Sequence, residues 1–162
     1  MNHRIRNKGT VSTVTLFLLA LSCAFFQQQT MAQPINVGNN ITMSITTGVA
    51  GGTLTSVVNT ARTLTYRRQL AIAKITVSTS CPTQSFTLKV LATAVPDGIA
   101  APEVTLVNGM PATDFIVNIP VRPPNTARSC TLRYTASATF SQGNSIEDGN
   151  DVHTVTYTIL AQ

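Results

Sequence analysis

Residues 130–140, CTLRYTASATF, alternate between two kinds of side chain along their whole length. Cysteine and apolar side chains occupy the even positions, and threonine, arginine or serine occupies each odd position. A period of two is the spacing of a β-strand with one buried face. The segment therefore predicts a long strand whose even-numbered side chains point into a core.

The same alternation recurs elsewhere in the chain, between turn-forming residues. The recurring segments are FTLKVLATA (86–94), DFIVNIPV (114–121), HTVTYTILA (153–161) and the more apolar LAIAKITVST (70–79). PDG at 96–98 is a turn signal, because proline fixes one backbone angle and glycine supplies a positive φ. The pattern predicts an all-β, antiparallel β-sandwich of about 7–9 strands, with a closed barrel as the alternative.

Near the N-terminus, QPINVGNNITMSI (33–45) is also apolar at odd positions. The residues of this possible first strand, or of a strand donated to a neighbour, are Ile35, Val37, Ile41, Met43 and Ile45. Asn39 interrupts the pattern beside Gly38, and we expect a bulge or bend there. Self-pairing within the chain is the expectation, with donation to another chain as the alternative.

Residues 1–32 have the organisation of a secretory signal peptide. A basic start precedes the apolar run VTLFLLALSCAFF (14–26), and small residues precede a cleavage that makes Gln33 the first mature residue. A retained anchor and lipid attachment at Cys23 are the alternatives. The remaining residues, 33–162, are expected to form one domain that is secreted or held at the cell surface.

The charge of the chain is mostly a property of this leader. The full sequence has 11 basic and 6 acidic residues, a formal net charge of +5. Three of the basic residues lie in 1–32, so the mature chain carries only +2. This balance gives no support for nucleic acid as a partner.

Two cysteines, Cys81 and Cys130, remain in the mature chain. An even pair in an oxidising compartment predicts one disulfide, and both cysteines continue inward faces of predicted strands. These two cysteines and one histidine lack the ligand spacing of a zinc site, so we expect no bound metal or other cofactor.

No pattern of catalytic residues emerges, and we expect a non-enzymatic protein. His153, the one histidine of the mature chain, begins a strand, and no serine lies in a G-x-S-x-G turn. The oxygen-rich EDGND at 147–151 is a hairpin turn, with calcium binding as the alternative. The basic cluster of Arg62, Arg67 and Arg68 fits a charged edge strand.

Residues 130–159, CTLRYTASATFSQGNSIEDGNDVHTVTYTI, resemble the C-terminal hairpin of bacterial pilin-like and related immunoglobulin-like surface subunits. The resemblance implies an immunoglobulin-like sandwich that packs with copies of itself or with another surface protein. In such subunits an N-terminal extension completes the sheet of a neighbour by strand addition. Residues 35–45 have the required alternation, and GVAGG (48–52) would provide the hinge.

Two functions follow as expectations. The first is an exported structural subunit of the cell surface or extracellular matrix, assembling by strand addition. The alternative is a monomeric secreted binding module for a glycan, calcium or a protein ligand.

Overall fold

The alternating segments form nine strands in the part of the chain that the structure describes. The computed structural model describes residues 35–48, 54–67, 71–123, 126–142 and 150–162, all within one unit, Met31–Gln162. The strands are β1 (Ile35–Val37), β2 (Val57–Tyr66), β3 (Ala73–Ser80), β4 (Thr87–Thr93), β5 (Ile99–Ala100), β6 (Val104–Leu106), β7 (Thr113–Ile119), β8 (Arg128–Ser137) and β9 (Thr154–Ala161). One short 3-10 turn spans Phe140–Gln142.

The predicted signal peptide at 1–32, with Cys23, and the predicted mature terminus at Gln33 lie outside the described residues. Within the described ranges, no helix has the length and apolar character to cross a membrane.

Two antiparallel sheets contain all nine strands. One sheet has the order β1-β2-β8-β4-β6, and the other has the order β5-β7-β3-β9. The apolar segment that became β3 lies between two neighbours, as its composition predicted. Each sheet ends in two edge strands, so the barrel alternative is wrong for the described part of the chain.

The two sheets share one hydrophobic core. Leu64, Leu132 and Val90 from the five-stranded sheet are fully buried, as are Ile75 and Phe115 from the four-stranded sheet. A 2.8 Å hydrogen bond joins the hydroxyl groups of Tyr134 in β8 and Tyr157 in β9, and so crosses between the sheets. The predicted all-β, antiparallel class is confirmed, and this two-layer arrangement fits a sandwich.

Strand β8 confirms the alternation that CTLRYTASATF predicts. Its even-numbered side chains are buried from Cys130 to Ala138, while the odd ones are not. Phe140 breaks the pattern and is 59% exposed, because the strand ends at Ser137 and the chain enters the 3-10 turn.

Strand β7 departs from strict alternation. The pairing of β3 with β7 shifts between Ala73 and Thr76, so that Phe115 and its neighbour Ile116 are both fully buried. Val117 is only half-buried as a result, because a bulge rotates the following residues relative to the sheet. The expected burial of Val121 is wrong, since its side chain lies beyond the strand and is 48% exposed.

The PDG turn adopts the predicted conformation. Gly98 has φ of 93°, and a β-carbon there would lie 2.7 Å from the carbonyl oxygen of Val117. Both facts require glycine. The turn brings Asp97 into the interior, where it is 7% exposed.

Candidate functional site

The N-terminal segment lies against its own chain, but it is a ladder strand over only three residues. Ile35, Asn36 and Val37 pair with Tyr66, Thr65 and Leu64 of β2. Gly38 is next, and the chain bends at Asn39, as the sequence predicted. The strand expected over 35–45 is therefore shorter than predicted, because the bend ends its pairing with β2.

Beyond the bend, every second side chain is still half-buried, but the backbone does not pair with a strand. Ile41, Met43 and Ile45 are half-buried, and the residues between them are exposed. Ile41 and Met43 pack against the core, as do Ile35 and Val37. Residues 38–47 have no strand assignment. The segment therefore covers apolar surface while its backbone stays outside both sheets.

Hydrogen bonds hold both ends of segment 40–47: one end to β2, and the other to the residues just before β2. The guanidinium of Arg62 donates to the carbonyl oxygen of Asn40 at 2.6 Å. The amide of Thr55 donates to the carbonyl of Thr47 at 2.9 Å, next to a bridge between Gly48 and Leu54. Residues 41–46 thus form the open middle of a long hairpin.

Strand β9 is the long edge of the second sheet. Among the described residues it pairs with β3 alone, in eight consecutive pairs with no register shift. Its sequence, TVTYTILA, has no charge and no proline. Strand β1 lies beside it. This edge lacks the charges, prolines and bulges with which proteins usually block strand addition.

The opposite side of the molecule ends in short strands with charges beside them. Strand β6 has three residues and β5 has two. Glu103, directly before β6, is 3.8 Å from Lys89 Nζ and 3.4 Å from Arg133 Nη2. Short strands and charges are common protections of a sheet edge.

The predicted disulfide between Cys81 and Cys130 is wrong, since both are free thiols. Both are buried on inward faces, as predicted, but at opposite ends of the molecule. Cys81 directly follows the last residue of β3, whereas Cys130 lies at the start of β8. An eight-residue strand spans about 23 Å, and a disulfide needs α-carbons within about 7 Å.

Cys81 instead lies with two other potential ligands, Asp151 and His153. One donor atom from each side chain lies within 4.8 Å of the other two. The β3–β9 register explains the proximity, because Ser80 pairs with Thr154 and the next step places Cys81 opposite His153. The sequence analysis did not predict this cluster, because Cys81 is 70 residues from Asp151 along the chain and is brought to it only by the β3–β9 pairing.

Hydrogen bonds fix two of the three side chains of this cluster, Asp151 and His153; we call it the Cys81 cluster. Asp151 accepts from the Ser85 amide at 2.8 Å, the Ser85 hydroxyl at 3.1 Å and the Phe86 amide at 2.8 Å. The Nδ1 atom of His153 is 3.2 Å from the hydroxyl of Thr79. The Nε2 atom of His153 is buried without a hydrogen-bond partner.

Burial shifts the titration of both cysteines and of the histidine. Desolvation raises the pKa of Cys81, and the nearby Asp151 charge raises it further. Desolvation raises the pKa of Cys130 to about 11, against the lowering effect of backbone hydrogen bonds. Desolvation also lowers the pKa of His153, against the opposing effect of Asp151. At neutral pH the cysteines are protonated thiols, which are poor nucleophiles.

A second polar cluster lies at the other end of the molecule, around Asp97. Its carboxylate accepts from Arg122 through two guanidinium nitrogens and from Arg128 Nε at 2.7 Å. Tyr66 Oη donates to the carbonyl of Asp97 at 3.0 Å. The bonds from Arg122 are the main cause of the lowered pKa of Asp97, and its burial opposes them. This carboxylate is fully satisfied inside the protein.

The remaining predicted site residues have simpler placements. In the proposed calcium loop, residues 147–149 lie outside the described ranges, and Asp151 turns inward to Ser85 and Phe86. Arg68 also lies outside them. Arg62 sits on β2 beside the short β1, so the expected charged edge is the second strand of its sheet.

No family model matches the chain, and no curated protein or solved structure matches it.

Proposed function

We propose that this chain is an exported, non-enzymatic structural subunit of a bacterial surface or extracellular matrix. In this proposal its sandwich is immunoglobulin-like, and copies assemble by strand addition at the outer edge of β9. The observation that carries the proposal is that edge, which is eight residues long, regular and uncharged. Such an edge is a template for another strand.

The proposed occupant is segment 41–47 of a second copy. In its own chain this segment presents alternate apolar side chains to the core, yet it has no ladder partner. Addition to β9 would give ladder hydrogen bonds to the backbone groups of the segment that face β9, at every second residue. Its side chains at Ile41, Met43 and Ile45 would continue the apolar face of Val155, Tyr157 and Ile159.

The exchange would keep the apolar packing of the segment and add the ladder hydrogen bonds that it lacks in its own chain. The segment follows β1, which lies near β9. Moving it to a second copy is a domain swap, which costs little when the same contacts form again. The glycine-rich sequence at 48–52 would provide the hinge, and four of its five residues lie outside the described ranges.

The chemistry of the thiols supports a non-enzymatic role. Cys81 is fully buried, and its pKa is raised rather than lowered. A nucleophilic cysteine needs access and a stabilised thiolate. Although Cys81, His153 and Asp151 are the residue types of a hydrolytic triad, this arrangement favours a structural thiol or a ligand.

Light scattering coupled to size-exclusion chromatography tests the proposal on the exported protein. The edge variant is Thr156→Lys with Thr158→Lys, since both threonines are exposed on β9. The matched control is Thr87→Lys with Thr131→Lys, which adds the same charges to strands β4 and β8 inside the other sheet.

We expect the wild type and the control to associate as concentration rises, and the edge variant to stay monomeric with an unchanged melting temperature. A wild type that is monomeric at every concentration, or an edge variant that associates like the control, would reject strand addition at β9. Uniform monomers would instead favour the binding module, for which the Cys81 cluster is the candidate ligand site.

A further inference from the structure

The cluster at the end of β3 combines a sulfur, a nitrogen and an oxygen donor. Cys81, Asp151 and His153 each offer one ligand atom, and these atoms lie within 4.8 Å of one another. We propose that they form a binding site for a divalent transition metal, with Zn²⁺ as the expected ion. The site adjoins the first residue of the proposed assembly edge, Thr154, but neither proposal depends on the other.

The spacing of the donors suits a tetrahedral ion after a small movement. Zinc binds sulfur at about 2.3 Å and nitrogen or oxygen at about 2.1 Å, so tetrahedral donors lie about 3.5 Å apart. Donors that are already within 4.8 Å reach this distance by closing about 1.3 Å at most. Side-chain rotation can supply that closure without moving the strands.

The surrounding residues hold the ligands as the second shell of a metal site does. The amides of Ser85 and Phe86 and the hydroxyl of Ser85 fix the carboxylate of Asp151. Three donors on a group with about four lone-pair sites leave about one site, on Oδ1, for an ion. The Thr79 hydroxyl contacts Nδ1 of His153. Metal-bound histidines usually have such a partner on the second ring nitrogen.

A separate observation points to a missing ligand. Nε2 of His153 is buried and has no hydrogen-bond partner. A buried nitrogen without a partner loses its hydrogen bond to water and gains none in return, so it calls for an explanation. A metal ion at Nε2 would remove this cost, because the tautomer with hydrogen on Nδ1 leaves the Nε2 lone pair free.

The donor set selects the metal. Calcium and magnesium prefer sites made only of oxygen, whereas zinc accepts thiolate, imidazole and carboxylate together. Three protein ligands leave a fourth position for water or a donor from another molecule. The sequence analysis expected no metal because it considered only the two cysteines and the histidine as ligands. In the structure Cys130 lies at the opposite end of the molecule from Cys81, and Asp151 is the third ligand of the set.

Cobalt substitution and calorimetry test this site on the exported protein after treatment with a chelator. We expect one Zn²⁺ per chain. Co²⁺ should give the visible bands of a tetrahedral ion and a thiolate-to-cobalt band in the near ultraviolet. His153→Gln and Asp151→Asn should each weaken Zn²⁺ binding about 10-fold or more. Cys81→Ser should abolish the thiolate band.

Cys130→Ser is the matched control, because it removes the other buried thiol and should keep full binding and the thiolate band. Should Cys81→Ser fail to fold, His153→Gln still decides, since this side chain is only half-buried. The proposal is overturned if the wild type binds no stoichiometric Zn²⁺, if the thiolate band persists in Cys81→Ser, or if His153→Gln binds as tightly as the wild type.

Discussion

The sheet edges on the two sides of this molecule differ in length and in charge. On one side, β5 and β6 are two and three residues long, and Glu103 lies between Lys89 and Arg133. On the other side, β9 presents eight residues without a charge, next to a segment that has no ladder. Because both sides close the same core, the fold itself does not require a long, uncharged edge.

The largest loss of stability should come from replacing Asp97, which lies between β4 and β5 on the side with the short, charged edges. We expect Asp97→Asn to lower the free energy of unfolding by about 3 kcal/mol, because it removes a buried carboxylate from Arg122 and Arg128. Urea denaturation measures this change. The control is Asp114→Asn, which removes an exposed partner of Lys74 and should cost about 0.5 kcal/mol. Equal losses in both variants would contradict this role of Asp97.

On the open side, Ile41→Asp should lower the free energy of unfolding of the monomer by about 2 kcal/mol. The substitution places a charge where a half-buried side chain packs against the core. Thermal unfolding of dilute monomer checks it. The control, Ile99→Asp, changes a side chain that is 59% exposed on the side with the short, charged edges and should stay within about 0.5 kcal/mol of the wild type. A stable Ile41→Asp monomer would show that this segment does not close its own core.

Acid should remove part of the Asp97 contribution. The bonds from Arg122 hold the pKa of Asp97 below its value in the unfolded chain. The stabilisation is therefore complete above the unfolded pKa of about 3.9 and is lost as the pH falls through the folded pKa. Urea midpoints of wild type and Asp97→Asn should converge between about pH 6 and about pH 2. A difference that stays constant over that range would disprove this linkage.

The smallest effect should come from Glu103→Gln. The ion pairs of Glu103 with Lys89 and Arg133 are long and solvent-exposed, so the free energy of unfolding should change by about 0.5 kcal/mol or less. Chemical denaturation measures it. Light scattering of the same variant sharpens the comparison, because new association would show that this charge is what keeps the β6 edge free.

The strands were predictable from sequence where one face is buried along a regular ladder. Strands β8 and β9 follow their alternation because each pairs without interruption with β4 or β3. Strand β7 does not, because its bulge depends on pairing with β3, which leaves no local signal at Ile116. Likewise, alternation reported the half-burial of Ile41 and Met43 but could not show that their backbone lies outside both sheets.

The prediction of a Cys81–Cys130 disulfide is wrong for a related reason. Alternation gives the face on which Cys81 and Cys130 lie, but not their position along the strand axis, so it could not exclude a disulfide. The Cys81 cluster follows from a register, with Ser80 opposite Thr154. In the sequence, the cluster is visible only as a cysteine directly after one strand and a histidine directly before another.

Amide hydrogen exchange can show whether β9 accepts a strand from a second copy. Mass spectrometry would compare peptides of the exported protein at low and high concentration. The account predicts new protection in residues 41–47 and 154–161 upon association, with no change in 99–106. Association without added protection in 154–161, or with protection confined to 99–106, would contradict it.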